Sequence, residues 1–149
     1  MLEPAPPPLA RGCVALIPAH NEAPRIGVVV AGTSAHLPVV VVDDGSSDAT
    51  AAVARASGAT VLEQRPNQGK GAALRAGFRH ALEAGFDAAV TLDGDGQHDP
   101  AEIPKFLGPL AGEAGGVELV IGERSFGAMP LVRRLSNATG TLLLSAALG

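Results

Sequence analysis

The sequence predicts an α/β domain built on a mostly parallel sheet with helices on both faces. Three observations carry that expectation. From Gly12 onward, short apolar runs alternate with longer helix-compatible stretches. Those runs are unbroken rather than interleaved with polar residues, as strands buried on both faces read. The loops after three of the runs collect acidic and polar residues, and such loops line the edge where parallel sheets bind ligands.

Each element follows from local chemistry. Cys13-Val14-Ala15-Leu16-Ile17 reads as a first strand, stopped by Pro18. Pro24 at a first helical position opens a helix through Val28, Val29 and Val30 to about Ser34. Val39 to Val42 is a β-branched second strand, closed by Asp43-Asp44-Gly45-Ser46. Ser47 or Asp48 caps a helix to Ala56, with Gly58 as its stop. Thr60-Val61-Leu62 is a third strand. Gly69 to Ala84 is helical, with Ala73, Leu74, Gly77, Phe78 and Ala81 on one face and Lys70, Arg75 and Arg79 outside it. Ala88 to Leu92 is a fourth strand, Pro100 to Leu110 a helix, Glu118 to Ile121 a fifth strand and Pro130 to Leu148 a last amphipathic helix. Residues 1–12, with four prolines and Glu3, read as a disordered or extended lead-in to one domain over residues 13–149.

Composition excludes several classes. With 149 residues, 46% of them hydrophobic, the chain has enough apolar material for one packed core. A formal net charge of −4 argues against a general nucleic-acid binder, which needs a basic excess. The single cysteine, Cys13, sits in an apolar strand and reads as core, and its isolation fits a reducing compartment. No window approaches the roughly 18–20 apolar residues of a membrane span, and the N-terminus lacks the apolar region of a secretory signal, so a cytoplasmic setting is expected.

The chemistry-bearing residues sit in the loops. Asp93 and Asp95 flank Gly94 directly after a buried strand; in an extended turn both carboxylates can face one point, and the glycine permits a backbone other residues resist. Two hard carboxylates suit Mg²⁺ or Mn²⁺, with Gln97 offering an oxygen and His98 a nitrogen, though a plain polar turn reads the same way. One of Asp43 and Asp44 is placed to accept hydrogen bonds from a nucleobase or ribose, or else both belong to a capping turn. His20, Asn21 and Glu22 border the same crevice. Asn67-Gln68-Gly69-Lys70-Gly71 fails as a P-loop, because Gln64 stands at the first glycine position and Gly71 at the Ser/Thr position; Lys70 near a helix start still suits an anion. Arg124, after the fifth strand, suits a diphosphate or an anionic acceptor.

Four of these segments, in this order, resemble glycosyltransferase family 2: Pro18-Ala19-His20-Asn21-Glu22, Val42-Asp43-Asp44-Gly45-Ser46-Ser47-Asp48, Asn67-Gln68-Gly69-Lys70-Gly71 and Leu92-Asp93-Gly94-Asp95-Gly96-Gln97-His98. The branch most similar is that of the polyprenyl-phosphate (dolichyl-phosphate) mannosyl- and glucosyltransferases. The resemblance implies a GT-A fold, a Rossmann-like nucleotide-binding sheet. It implies that Pro18, His20 and Glu22 line the nucleotide pocket, His20 standing where a tyrosine is common, and that Asp44 meets base or ribose. Asp93 and Asp95 match the family's DxD motif, and Gln97 completes the divalent-metal site. Lys70 and Arg124 match basic positions near donor phosphates and acceptor, with Asp95 and Arg124 as the catalytic pair.

The implied function is a metal-dependent inverting transfer of a hexose from a nucleotide diphosphate-sugar of the GDP-mannose or UDP-glucose class to a polyprenyl phosphate. The setting would be cytoplasmic, peripheral to a membrane's cytoplasmic face. The Pro130–Leu148 segment, with Arg133 and Arg134 beside Leu131, Leu135 and Leu142, fits either a core-packing helix or one lying on a membrane surface. Family members continue into a further strand and an acceptor-facing region that the sequence to Gly149 does not contain, so the expectation is a C-terminally truncated member. The alternative is a nucleotide-sugar-binding module without transfer. A haloacid dehalogenase-type phosphohydrolase also places Asp-x-Asp after a strand, but after the first one rather than the fourth.

Overall fold

A computed structural model describes residues 12–111. The expected lead-in up to residue 11, the fifth strand Glu118–Ile121, Arg124 and the Pro130–Leu148 helix lie outside the described residues.

Four parallel strands form one sheet: β1 (Cys13–Ala19), β2 (Val39–Asp44), β3 (Thr60–Gln64) and β4 (Ala88–Thr91), in the order β3-β2-β1-β4. Helices α1 (Ala23–Ser34), α2 (Thr50–Ala56), α3 (Lys70–Glu83) and α4 (Ile103–Ala111) connect and follow them. Strand alternation divides the apolar residues into two layers. Cys13, Ala15, Ile17, Val39 and Val41 pack with Ile26, Val29 and Val30 of α1, Ala54 of α2, and Ile103 and Leu107 of α4. Val14, Leu16, Val40 and Val42 face the other way, onto Ala73 and Ala81 of α3. This is the expected sheet with helices on both faces. The central strands β1 and β2 are buried almost throughout, whereas the outer strands β3 and β4 are largely half-exposed.

Four local expectations are corrected. The first strand continues through Pro18 to Ala19 instead of stopping at the proline. The Leu92 amide donates to the Leu16 carbonyl, so the backbone N–H and C=O of even-numbered β1 residues point to β4, and pairing with β4 ends at Leu16 opposite Thr91. The missing N–H of Pro18 therefore falls where no partner strand remains, which is where a sheet tolerates proline. The second helix starts at Thr50, with Ala49 rather than Ser47 or Asp48 at its N-cap position, although Asp48 still serves that start by accepting from the Thr50 amide at 2.9 Å. The segment from Pro100 divides into a 3-10 turn, Pro100–Glu102, and α4; Asp99 caps the turn by accepting from the Ala101 amide at 3.0 Å. On α3, Ala73, Gly77 and Ala81 are buried as expected, but Phe78 is 43% exposed. Among the described residues no helix is long and apolar enough to cross a membrane.

Strand order reverses direction between β1 and β4, the switch point at which such sheets open a crevice beyond their C-terminal ends.

Candidate functional site

That crevice is a cleft of about 290 Å³. Its walls bring together Pro18, His20 and Glu22 from the end of β1, Asp44 from β2 and Lys70 from α3. Asp93, Gly94 and Asp95, which follow β4, complete it. Seven of the residues singled out in the sequence thus share one space. Gln97 is exposed and outside the lining; its amide donates to Asp95 Oδ1 at 2.9 Å, bracing the turn that presents that carboxylate.

The β1 and β2 loops are stitched together. Asn21 adopts a left-handed conformation, φ 54°, which asparagine tolerates better than most residues. Its amide donates to Ser46 Oγ at 2.9 Å, and its Oδ1 accepts from the Ser47 amide at 2.9 Å. The Glu22 amide donates to Thr50 Oγ1 at 2.8 Å. His20 is fixed between these loops. Its Nδ1 lies 2.8 Å from the carbonyl oxygen of Asp44, and its Nε2 lies 3.2 Å from Asn21 Nδ2.

The two adjacent acids of β2 point apart. Asp43, 1% exposed, accepts from the Ser46 hydroxyl and braces the turn. Asp44, 3% exposed, lines the cleft, and its two oxygens accept from the Gln68 amide at 2.8 Å and the Gly69 amide at 2.7 Å. Asp44 therefore holds the loop that starts α3. Gly45 makes this possible: at φ 70° a Cβ there would lie 2.6 Å from the Asn67 nitrogen.

Asp93 and Asp95 are half-buried and face the same cleft. The Lys70 ammonium pairs with Asp93 Oδ1. His98, considered above as a nitrogen ligand, instead accepts the Asp93 amide at Nδ1 over 2.9 Å and so steadies the turn. Gly94, expected to permit a backbone that other residues resist, is not among the glycines with positive φ, whereas Gly96 is, at φ 79°. Space alone does not require the glycine at position 94, since a Cβ there would meet Ala19, Ile26 and the Pro18 carbonyl at ordinary contact distances of 3.4–3.5 Å.

Among the described residues no group of three or more His, Cys, Asp or Glu side chains is arranged to hold a metal. Two carboxylates beside an open cleft fit Mg²⁺ or Mn²⁺ nonetheless, because such ions keep positions for water and substrate phosphate rather than filling a protein cage. A cation on Asp93 is also what the Lys70 contact already provides. Asn67, whose Nδ2 lies 3.1 Å from His20 Nδ1, is a cleft residue that the sequence marked as part of the 67–71 segment but gave no role of its own.

The sequence model for Glycosyl transferase family 2 matches residues 14–140. The chain belongs to that family. Among family 2 relatives, it is 32% identical to the UDP-N-acetylglucosamine–dolichyl-phosphate N-acetylglucosaminyltransferase of Methanococcus voltae, over 82% of this chain and 57% of that protein. It is 35% identical to the undecaprenyl-phosphate mannosyltransferase of Micrococcus luteus, over 73% of this chain and 46% of that one. The crystal structure of glucosyl-3-phosphoglycerate synthase from Mycobacterium tuberculosis in complex with Mn²⁺, UDP-glucose and phosphoglyceric acid superposes with a TM-score of 0.58 at 30% identity, covering 69% of this chain and 40% of that one. The fold is the GT-A arrangement of these glycosyltransferases. The chain spans about half the length of the curated relatives it matches.

Proposed function

We propose that this chain is the donor-binding part of a metal-dependent, inverting glycosyltransferase that moves a hexose from a nucleotide diphosphate-sugar, of the GDP-mannose or UDP-glucose class, to a polyprenyl phosphate at the cytoplasmic face of a membrane. The observation that carries this reading is the single cleft that holds Asp93, Asp95 and Lys70 beside His20, Glu22 and Asp44. Its support from relatives is that two of them are named for polyprenyl-type phosphate acceptors and a third binds Mn²⁺ with UDP-glucose.

In this reading the nucleoside lies on the β1–β2 side of the cleft, against Pro18, His20, Glu22 and Asp44, and the diphosphate lies towards the start of α3 and β4. Asp93 and Asp95, with Gln97 beside them, would hold Mg²⁺ or Mn²⁺, which supplies charge neutralisation to a departing nucleoside diphosphate, worth several kcal/mol in the transition state. Lys70 adds a cation at the diphosphate, and Arg124 does so near the acceptor. A phosphate acceptor is already mostly ionised at neutral pH, its second pKa lying near 6, so the chain need supply no strong general base. Direct displacement by that oxygen inverts the anomeric centre.

Calorimetry with UDP-glucose and GDP-mannose, each with Mn²⁺, tests the assignment. One of the two is expected to bind, and Asp95→Asn is expected to weaken it at least about tenfold, the 10–100-fold scale on which metal-site changes act. Equal affinity in Asp95→Asn, or binding of neither nucleotide, overturns it. Metal-dependent binding without transfer to a polyprenyl phosphate selects the binding-module alternative.

A further inference from the structure

The cleft places opposite charges in contact at the point where both a cation and an anion are to bind. Lys70 is the first residue of α3, and the first turn of that helix contains no acid. A lysine there opposes the helix, whose N-terminal amides already carry partial positive charge. Its position is therefore not explained by helix stability. Its side chain, 62% exposed, reaches across the cleft to Asp93, which is 33% exposed, while Asp44 holds the two residues before it through their amides.

We infer that Lys70 is the resident counter-ion of Asp93 and that it couples uptake of the divalent cation to uptake of the diphosphate; this rests on the reading of the cleft given above. A divalent cation on Asp93 repels the ammonium from the carboxylate. Metal arriving alone must displace the lysine without giving it a new partner. Metal arriving with a diphosphate offers the displaced ammonium the phosphate oxygens, at the end of a helix that favours anions. Each ligand therefore raises the affinity of the other, and the two effects are equal by linkage. Lysine suits this exchange because its compact charge rides on a flexible stem, whereas arginine holds carboxylates in a fixed fork.

The test is Mn²⁺ binding to the full chain without nucleotide, read from the electron paramagnetic resonance signal of free Mn²⁺. Lys70→Met is expected to bind Mn²⁺ about two- to fivefold more tightly than the parent, the scale of a partly exposed ion pair. Lys70→Arg, which keeps the charge, should gain nothing, and neither should Arg75→Met, which removes an exposed cation further along the same helix. The factor by which saturating UDP or GDP raises Mn²⁺ affinity should shrink in Lys70→Met. Unchanged Mn²⁺ affinity in Lys70→Met, or equal tightening in Arg75→Met, overturns the coupling while leaving the donor-site reading intact. Absence of Mn²⁺ binding in parent and Lys70→Met alike, with and without nucleotide, overturns that reading and the coupling with it.

Discussion

Both oxygens of Asp44 are occupied by the amides of Gln68 and Gly69, 24 and 25 residues further along the chain. Replacing the carboxylate by an amide leaves one acceptor and turns an NH₂ group towards a peptide N–H. Hydrogen bonds to a charged acceptor contribute about 1.5–3 kcal/mol, so Asp44→Asn is expected to lower the unfolding free energy by about that amount in urea titration. A loss below about 0.5 kcal/mol, the scale of an ordinary surface change, would mean that the loop does not depend on this acid. A strand ending in two adjacent acids reads, from the chain alone, as more than a helix start. That pattern does not say which acid faces the cleft or that the 67–69 loop closes over it. Strand alternation separates Asp43 from Asp44, but a partner two dozen residues away leaves no local signature. The same holds for Lys70, whose pairing with Asp93 joins a helix start to a strand end 23 residues on.

The turn between β2 and α2 works as a splice between elements. Asp48 Oδ1 accepts from the Thr50 amide and hydroxyl, and Oδ2 accepts from the Ala23 amide at 3.2 Å, so one side chain serves the starts of α2 and α1 together. The Thr50 hydroxyl, followed by these amides, holds the Asp48 carboxyl below the usual carboxylate range. A folded-state value below the unfolded one contributes stability above the unfolded pKa of about 3.9 and loses it as pH falls through the folded value. Asp48→Asn is therefore expected to unfold at lower urea than the parent at pH 7, with the gap closing towards pH 3. A gap that stays constant across that range would sink the assignment. Helix and strand order were legible in advance because apolar runs and Gly, Pro and Asp punctuation are local. The boundaries that moved, at Pro18, Thr50 and Pro100, did so where the neighbouring strand or a side chain from the next turn decided the outcome.

The sheet was legible as parallel and two-sided because its central strands carry no polar alternation. Its strand order was not, since order is set by which crossovers pack, not by the strands themselves. That order matters for the molecule's response to ligand: the cleft draws on β1, β2, α3 and the turn after β4, so a molecule filling it ties the half-exposed edge strand β4 to the buried centre. A ligand bound only by the folded chain stabilises it by about 2.7 kcal/mol at one hundred times its dissociation constant. With about 2–4 °C per kcal/mol for chains of this size, saturating UDP or GDP with Mn²⁺ should raise the melting midpoint by about 5–10 °C. Chelating the metal with EDTA should remove most of that rise, because the two carboxylates after β4 would then face the diphosphate with only Lys70 between them. A rise that survives EDTA would place the nucleotide in the cleft without a metal and shift the charge-neutralising role to Lys70. No rise with either nucleotide would mean that the junction of β1 and β4 is not where this chain takes its donor.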